Sequence, residues 1–434
     1  MAQEFLNDIS PTYCALPWIH MATFTNGTPL LCCVANPPLE NESINLNYET
    51  IKEVWNSPHW KRARKAMKAG KKVPACSHCY KEEEAGIRSH RMNENNLWCR
   101  TLGDDDHKKG KKYLKNLIKK TKADGTLSED LVTLDLRLGN TCNLQCAMCR
   151  PVDSSKWVKD ADKIIDLTSS NVQSDWIWKR DDAKNSDFEW MADDDFWNEE
   201  LIALLPNMRH FIFAGGEPLY LKIHTEFLEK IVELGYAKNI QLRYHTNATI
   251  LPDRILELWK EFKYVELMLS IDATDAQNYW LRYPADWKAI EENLQKIDEQ
   301  GEHLYAKILC TVNAINVIYL SDFAEWILAQ KYKNIGMKDH DGLFHPGILH
   351  YPEYMCTKIL PQNVKNLATS NIDKLQEKYP DNKQITNIKN AINFMNLEDN
   401  SHLLPDLKQY IIALDRMRKT SFDKTFPELA QLLK

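Results

Sequence analysis

Hydrophobic and polar residues alternate along residues 131–138 (Leu-Val-Thr-Leu-Asp-Leu-Arg-Leu), as in a strand with one buried face. Gly139-Asn140 ends the run with turn chemistry. Similar runs at 210–213, 240–244, 265–272, 305–313 and 334–338 predict five further strands. Segments of helical spacing, such as 195–205, separate them. Strands alternating with helices at this pace predict an α/β fold around a parallel sheet. The interval 150–195 is long and polar and holds Trp157, Trp176, Trp178 and Trp190, which predicts a helix plus an inserted lid. Those indoles either line a pocket or anchor packing. From 351 to 434 the pattern reads as several helices, one over 405–414, able to shield the open side of the sheet.

The first hundred residues follow another pattern. Two short strand-like runs flank Asn26-Gly27, a strong hairpin signal, and the second ends in Cys32-Cys33. A helix beginning at Ile51 and continuing past Pro58 precedes Cys76-Ser77-His78-Cys79. Residues 101–130 read as a connector with a lysine-dense piece over 108–120. That piece suits a polyanion such as nucleic acid, or a solvated helix; one aromatic and the acidic neighbours Asp104, Asp105 and Asp106 favour the helix.

Composition narrows the class. A chain of 434 residues has room for two or three domains. The net charge of −6, with 27% charged residues, is that of an ordinary soluble protein. No apolar run reaches the ~18 residues of a membrane span. Residues 1–8 lack the basic start and apolar core of a signal peptide. Eleven cysteines then predict metal or redox chemistry in a reducing, cytoplasmic compartment.

The chemistry centres on Cys142-Asn143-Leu144-Gln145-Cys146-Ala147-Met148-Cys149, a C-x3-C-x2-C set on the loop after the 131–138 strand. Active sites of barrel-type α/β proteins sit at such strand ends. Three thiolates hold three corners of a cubane cluster and leave one iron open, whereas four would fill it. A zinc knuckle is the alternative. The next strand runs into Ala214-Gly215-Gly216-Glu217-Pro218, about 66 positions beyond the last of these cysteines. Later strands end in His245-Thr246-Asn247 and Ser270-Ile271-Asp272.

These motifs, in this order, resemble those of the radical S-adenosylmethionine (radical SAM) enzymes. The resemblance implies a partial (β/α)6 TIM-type barrel over 131–350. It also implies a [4Fe-4S] cluster on Cys142, Cys146 and Cys149, whose open iron chelates S-adenosylmethionine and whose reduction yields a 5′-deoxyadenosyl radical. Cofactor contacts carry over to Met148, Gly215, Gly216, Glu217, Thr246, Asn247, Ser270, Asp272, Arg282 and Val312. Met148 stands where the family usually has an aromatic residue, and Ala273 where it often has glycine.

The G-x4-C spacing of Gly27 and Cys32 resembles the SPASM auxiliary-cluster domain and its shortened twitch form. So do the Trp55–Pro58 turn, the single C-x2-C pair and the segment 86–92. This implies a second, auxiliary [4Fe-4S] cluster on Cys14, Cys32, Cys76 and Cys79 within residues 1–100. Cys33 is the substitute for Cys32, and a four-thiolate zinc module is the alternative. In the family this domain commonly follows the barrel; here it precedes it.

The implied activity is hydrogen abstraction from a substrate C–H bond, most readily an oxidative modification of a peptide or protein side chain or a small molecule. The auxiliary cluster would relay the electron, and flavodoxin or ferredoxin would be the reductant. A nucleic-acid-modifying enzyme and a zinc-stabilised binding module are the alternatives. Cys310, Cys356, Tyr220, His245 and His340 are further candidates for a hydrogen donor or acid.

Overall fold

The computed structural model describes residues 9–39, 42, 44–84, 88–336, 344–382 and 385–434. It divides into two units. The first comprises the chain through Gly139, with Asp187–Gly215 and Phe227–Leu242. The second comprises Asn140–Ser186, Gly216–Glu226 and Arg243–Lys434. The predicted features at residues 1–8, 86, 87, 337, 338 and 340 lie outside the described residues.

In the first unit the Asn26-Gly27 signal becomes a hairpin of β1 (His20–Thr23) and β2 (Pro29–Leu30), antiparallel with Ala22 opposite Leu30. Gly27 turns the corner at φ +80°, where a Cβ would meet the Asn45 side chain at 2.7 Å. β1 then pairs in parallel with β3 (Thr133–Leu138), and β3 with β4 (His210–Gly215). The N-terminal hairpin is thus built into the sheet, which local periodicity does not disclose. The start of β5 (Gln241–Thr246) follows β4 in this order.

Helix Ile51–Trp55 opens with a capping box between Thr50 and Glu53, and helix Pro58–Lys68 has proline in its first turn. The lysine-dense piece is helix His107–Lys120, capped by Asp106, with Gly110, Leu114 and Leu117 on its buried face. Gly110 lies directly against the Cys99 carbonyl, 1.8 Å from where a Cβ would sit. The segment predicted as a connector is a packed amphipathic helix.

The second unit continues with the rest of β5, β6 (Tyr264–Ser270), β7 (Leu304–Val312) and β8 (Phe344–Ile348). β6–β7 and β7–β8 are parallel. Val265, Leu267 and Leu269 of β6 are buried, and the residues between them are half-buried. Each strand predicted from 131 to 313 is present within a few residues. Of the strand predicted at 334–338, the described residues show a parallel bridge from Ile335 to Ala306, and Phe344–Ile348 is a further strand beside β7. The fold is α/β with a sheet that does not close.

Short helices Ser155–Val158, Ala161–Leu167 and Ser170–Lys184 fill the predicted lid. The C-terminal stretch is helical, with Leu404–Arg418 among its longer helices. No helix among the described residues is long and apolar enough to cross a membrane.

Candidate functional site

The cysteine loop of the second unit makes almost no regular secondary structure, so its backbone groups need partners from elsewhere. They have them. The carbonyls of four successive residues, Leu144 to Ala147, accept from four side chains. Leu144 accepts from the Ser154 hydroxyl at 2.6 Å and Gln145 from the Arg418 guanidinium. Cys146 accepts from the Trp157 indole at 3.0 Å and Ala147 from the Tyr410 hydroxyl at 2.7 Å. The amides of Gln145 and Ala147 donate to the carbonyls of Tyr283 (2.6 Å) and Leu281 (2.7 Å).

Trp157 lies 4.6 Å from Trp176, which lies 6.0 Å from Tyr410, measured between ring centres. These two indoles of the lid hold the loop; Trp178 is exposed. Sequence reasoning missed Trp157's bond to the loop, and Tyr410 and Arg418 altogether.

Of the three thiols, Cys142 is buried and Cys146 and Cys149 are half-buried. Burial pushes Cys142 up to about 12, with Cys146 adding to it. Burial likewise raises Cys149, helped by Asp153, Cys146 and Cys142. It raises Cys146 against the lowering effect of Arg282. Three thiols on one short loop, each within electrostatic reach of another and held back from ionising, suit a soft cation that takes them as thiolates. The donor set therefore fits an iron–sulfur cluster.

Gly216 brings the backbone against this loop. A Cβ there would lie 2.1 Å from the Thr141 carbonyl oxygen, which accepts the Glu217 amide at 2.9 Å. In the first unit, Gly215 has φ +110° and a Cβ would lie 2.7 Å from the Leu138 nitrogen. The glycine pair is a requirement of close approach.

Glu217 is buried and ties strand ends together. Its carboxylate accepts from the Thr246 hydroxyl at 2.8 Å, the Asn247 amide at 2.8 Å and the Leu219 amide at 3.2 Å. Burial pushes it up to about 7, against those bonds, which lower it. Asn247 reaches the cysteine loop through the Asn143 side chain at 2.9 Å.

Asp272 and Arg282, expected separately at the cofactor, face each other. Nε and Nη2 of Arg282 lie 2.7 and 3.0 Å from the two carboxylate oxygens. The Thr311 amide donates to Asp272 at 2.7 Å. Burial works against the Arg282 charge, but Asp272 outweighs it and keeps the guanidinium charged. Nη1 of Arg282 lies 3.9 Å from Cys146 Sγ. Ser270 ends β6, Val312 is buried at the end of β7, and Met148 is half-buried between Ala147 and Cys149. Cys310 is buried with Sγ 3.7 Å from the Asp272 carbonyl, Cys356 is buried, and Tyr220 is exposed.

In the first unit the N-terminal cysteines lie within electrostatic reach of one another. Cys14 is raised by burial and then by Cys76; Cys32 by burial and then by Cys14; Cys76 to about 12 by burial and then by Cys32 and Cys79. Cys32 is buried. Cys33 is exposed, with Sγ 3.8 Å from His90 Nε2. Arg91 organises the group: it donates to the Tyr13 carbonyl at 2.7 Å, beside Cys14, and pairs with Glu83 on the helix bearing Cys79. Asn95 holds the Ala15 amide at 2.7 Å. None of the eleven cysteines forms a disulfide.

Two stretches of the chain match known domain families. Residues 136–312 match the Radical SAM superfamily, and residues 14–80 match SPASM, an iron–sulfur cluster-binding domain. No curated protein sequence matches the chain significantly. Streptococcus suis SuiB bound to S-adenosylmethionine is 16% identical, with 76% of this chain and 66% of that one covered and a TM-score of 0.31. Native anSMEcpe with bound AdoMet and Cp18Cys peptide is 16% identical, with 56% and 59% covered and a TM-score of 0.32. SuiB bound to its precursor peptide SuiA is 16% identical, with 70% and 64% covered and a TM-score of 0.28. The chain spans somewhat under two thirds of the length of each of these structures. Residues 136–312 thus carry a radical SAM domain, with a SPASM iron–sulfur domain over residues 14–80 ahead of it.

Proposed function

We propose that this protein is a radical SAM enzyme that oxidatively modifies a peptide or protein side chain, or a small molecule, in the cytoplasm. The observation that carries the reading is the cysteine loop itself. Three thiols ride on a backbone whose carbonyls from Leu144 to Ala147 are each held by a separate side chain. When bound, the clusters and S-adenosylmethionine supply the chemistry. With a flavodoxin- or ferredoxin-type reductant they would supply reductive cleavage of the sulfonium and hydrogen-atom abstraction, with the auxiliary cluster as acceptor for the electron left on the substrate.

The chain's own residues bind, orient and exclude water. Cys142, Cys146 and Cys149 hold the first cluster, and Cys14, Cys32, Cys76 and Cys79 the second. Four thiolates leave no iron open, which suits the second to electron relay. Glu217, buried and fixed by Thr246 and Asn247, offers a carboxylate to an ammonium group. Ser270, the Gly216 backbone, Met148 and Val312 would supply the remaining contacts to S-adenosylmethionine. The Asp272–Arg282 pair locks the ends of β6 and β7 beside Cys146.

The test is anaerobic reconstitution, with iron and sulfide measured beside a Cys142→Ala/Cys146→Ala/Cys149→Ala variant, then addition of dithionite and S-adenosylmethionine. About eight iron and eight sulfide per chain, halved in the variant, with 5′-deoxyadenosine formed only by wild type, is the expected result. No iron and no 5′-deoxyadenosine would sink it; zinc without sulfide would favour the binding module instead.

A further inference from the structure

Arg418 lies outside both matched regions, near the end of helix Leu404–Arg418. Its side chain is buried against the cysteine loop. It donates to the Gln145 carbonyl and, at 3.0 Å, to the Trp280 carbonyl. Its guanidinium carbon lies 5.2, 5.0 and 6.0 Å from the ring centres of Trp157, Tyr283 and Trp280. Nε is buried without a hydrogen-bond acceptor.

What this cation lacks is an anion. Two carboxylates are near enough to feel its charge, and both are committed elsewhere. Asp415 accepts from the Trp280 indole (2.8 Å), the Thr420 hydroxyl (2.7 Å) and the Phe422 amide (2.6 Å). Asp160 accepts from Gln145 Nε2 and pairs with Lys163, both at 2.6 Å. Among the described residues no carboxylate forms an ion pair with Arg418. Arg282, on the other side of Cys146, is neutralised by Asp272. A buried, unpaired guanidinium is costly unless an opposite charge arrives. The carbonyl it binds belongs to the residue before Cys146, which becomes a thiolate when it ligates iron.

We infer that Arg418 is the counter-charge of the cluster held by Cys142, Cys146 and Cys149, and that it raises that cluster's reduction potential. The inference rests on the cluster reading above and adds a positioning residue from the C-terminal helix. Reduction adds negative charge, and net charge around a cluster is one of the levers that set its potential. A fixed cation beside Cys146 therefore favours the reduced form.

The experiment is a reductive titration followed by electron paramagnetic resonance on the reconstituted full chain. The Cys142→Ala/Cys146→Ala/Cys149→Ala variant identifies which signal belongs to this cluster. Arg418→Gln keeps a donor for the Gln145 carbonyl but removes the charge; Arg418→Lys keeps the charge but not the planar fork. At a fixed potential the reduced-to-oxidised ratio should fall at least tenfold in Arg418→Gln, equivalent to a 59 mV shift for a one-electron couple. It should stay within about threefold of wild type in Arg418→Lys, a shift of about 28 mV or less on the same scale.

An unshifted glutamine variant overturns the inference and leaves the cluster reading intact. A wild-type chain with no signal removed by the cysteine variant overturns both. Should Arg418→Gln fail to fold, Arg418→Lys decides alone. A wild-type potential supports the charge, and a tenfold fall assigns the role to the guanidinium's geometry and overturns the inference.

Discussion

The Tyr410 hydroxyl donates at 2.7 Å to the Ala147 carbonyl, across 263 positions of sequence. Both residues are buried, so this bond closes the accounts of a carbonyl that water cannot reach. Tyr410→Phe keeps the ring against Trp176 and Tyr354 and leaves that carbonyl bare. The expected cost is about 1–3 kcal/mol of stability. Urea unfolding checks it, alongside the rate of iron loss to a chelator, which should rise. Unchanged iron retention would mean that the other three carbonyl donors suffice.

Gly216→Ala places a methyl group 2.1 Å from the Thr141 oxygen. The cysteine loop or the Glu217 segment must move, and the bond from the Glu217 amide to Thr141 is lost with it. We expect destabilisation of about 3 kcal/mol, with weaker binding of S-adenosylmethionine by equilibrium dialysis. A variant that binds the cofactor as wild type does would show that the glycine pair is not what sets the approach.

Cys32 and Cys33 are neighbours with different fates. Cys32 is buried in electrostatic reach of Cys14 and Cys79, and Cys33 points to solvent beside His90. Cys32→Ser should reduce iron per chain from about eight to about four, and Cys33→Ser should leave it near eight. The reverse pattern would exchange their roles.

His224 gives the protein an acid limb. Burial lowers its imidazole to about 3 from an ordinary 6.5, and its Nε2 lies 2.9 Å from the Tyr244 hydroxyl. Burial also lowers His20 to about 3, with His90 contributing. In each case the unfolded chain takes the proton first, so stability is present above pH 6.5 and lost as pH falls toward 3. Each group should remove about 2 kcal/mol between neutrality and about pH 5. Comparing urea midpoints at those two pH values, His224→Phe should shrink the drop by its own share. A drop of unaltered size would show that His224 is charged in the folded protein.

The strands were legible because each carries its own alternation, and the strand-end motifs because each is a short word beside its strand. Tyr410 and Arg418 were not. They are single residues on an ordinary amphipathic helix, and nothing local marks the loop they serve. Cys32 and Cys33 were inseparable in sequence because adjacent positions of an extended chain face opposite ways; burial distinguishes them. The lysine-dense segment read as a connector because its charges dominate the composition, while one buried glycine, Gly110, carries the packing. The strand Phe344–Ile348 was not legible because Pro346 and Gly347 interrupt its pattern, and pairing along β7 makes it a strand.

The pairing of β1 with β3 has a consequence for anyone who would shorten this protein. His20, Met21 and Ala22 cover Thr133, Leu134 and Asp135 in register. A chain trimmed to begin at Leu131, just before β3, would bare that flank of β3, an apolar edge with its amides and carbonyls unclaimed. Such an edge invites strands from other molecules, so the truncated barrel would be expected to aggregate even before any question of cofactor arose. The N-terminal domain is a seal on the sheet as well as a holder of cysteines.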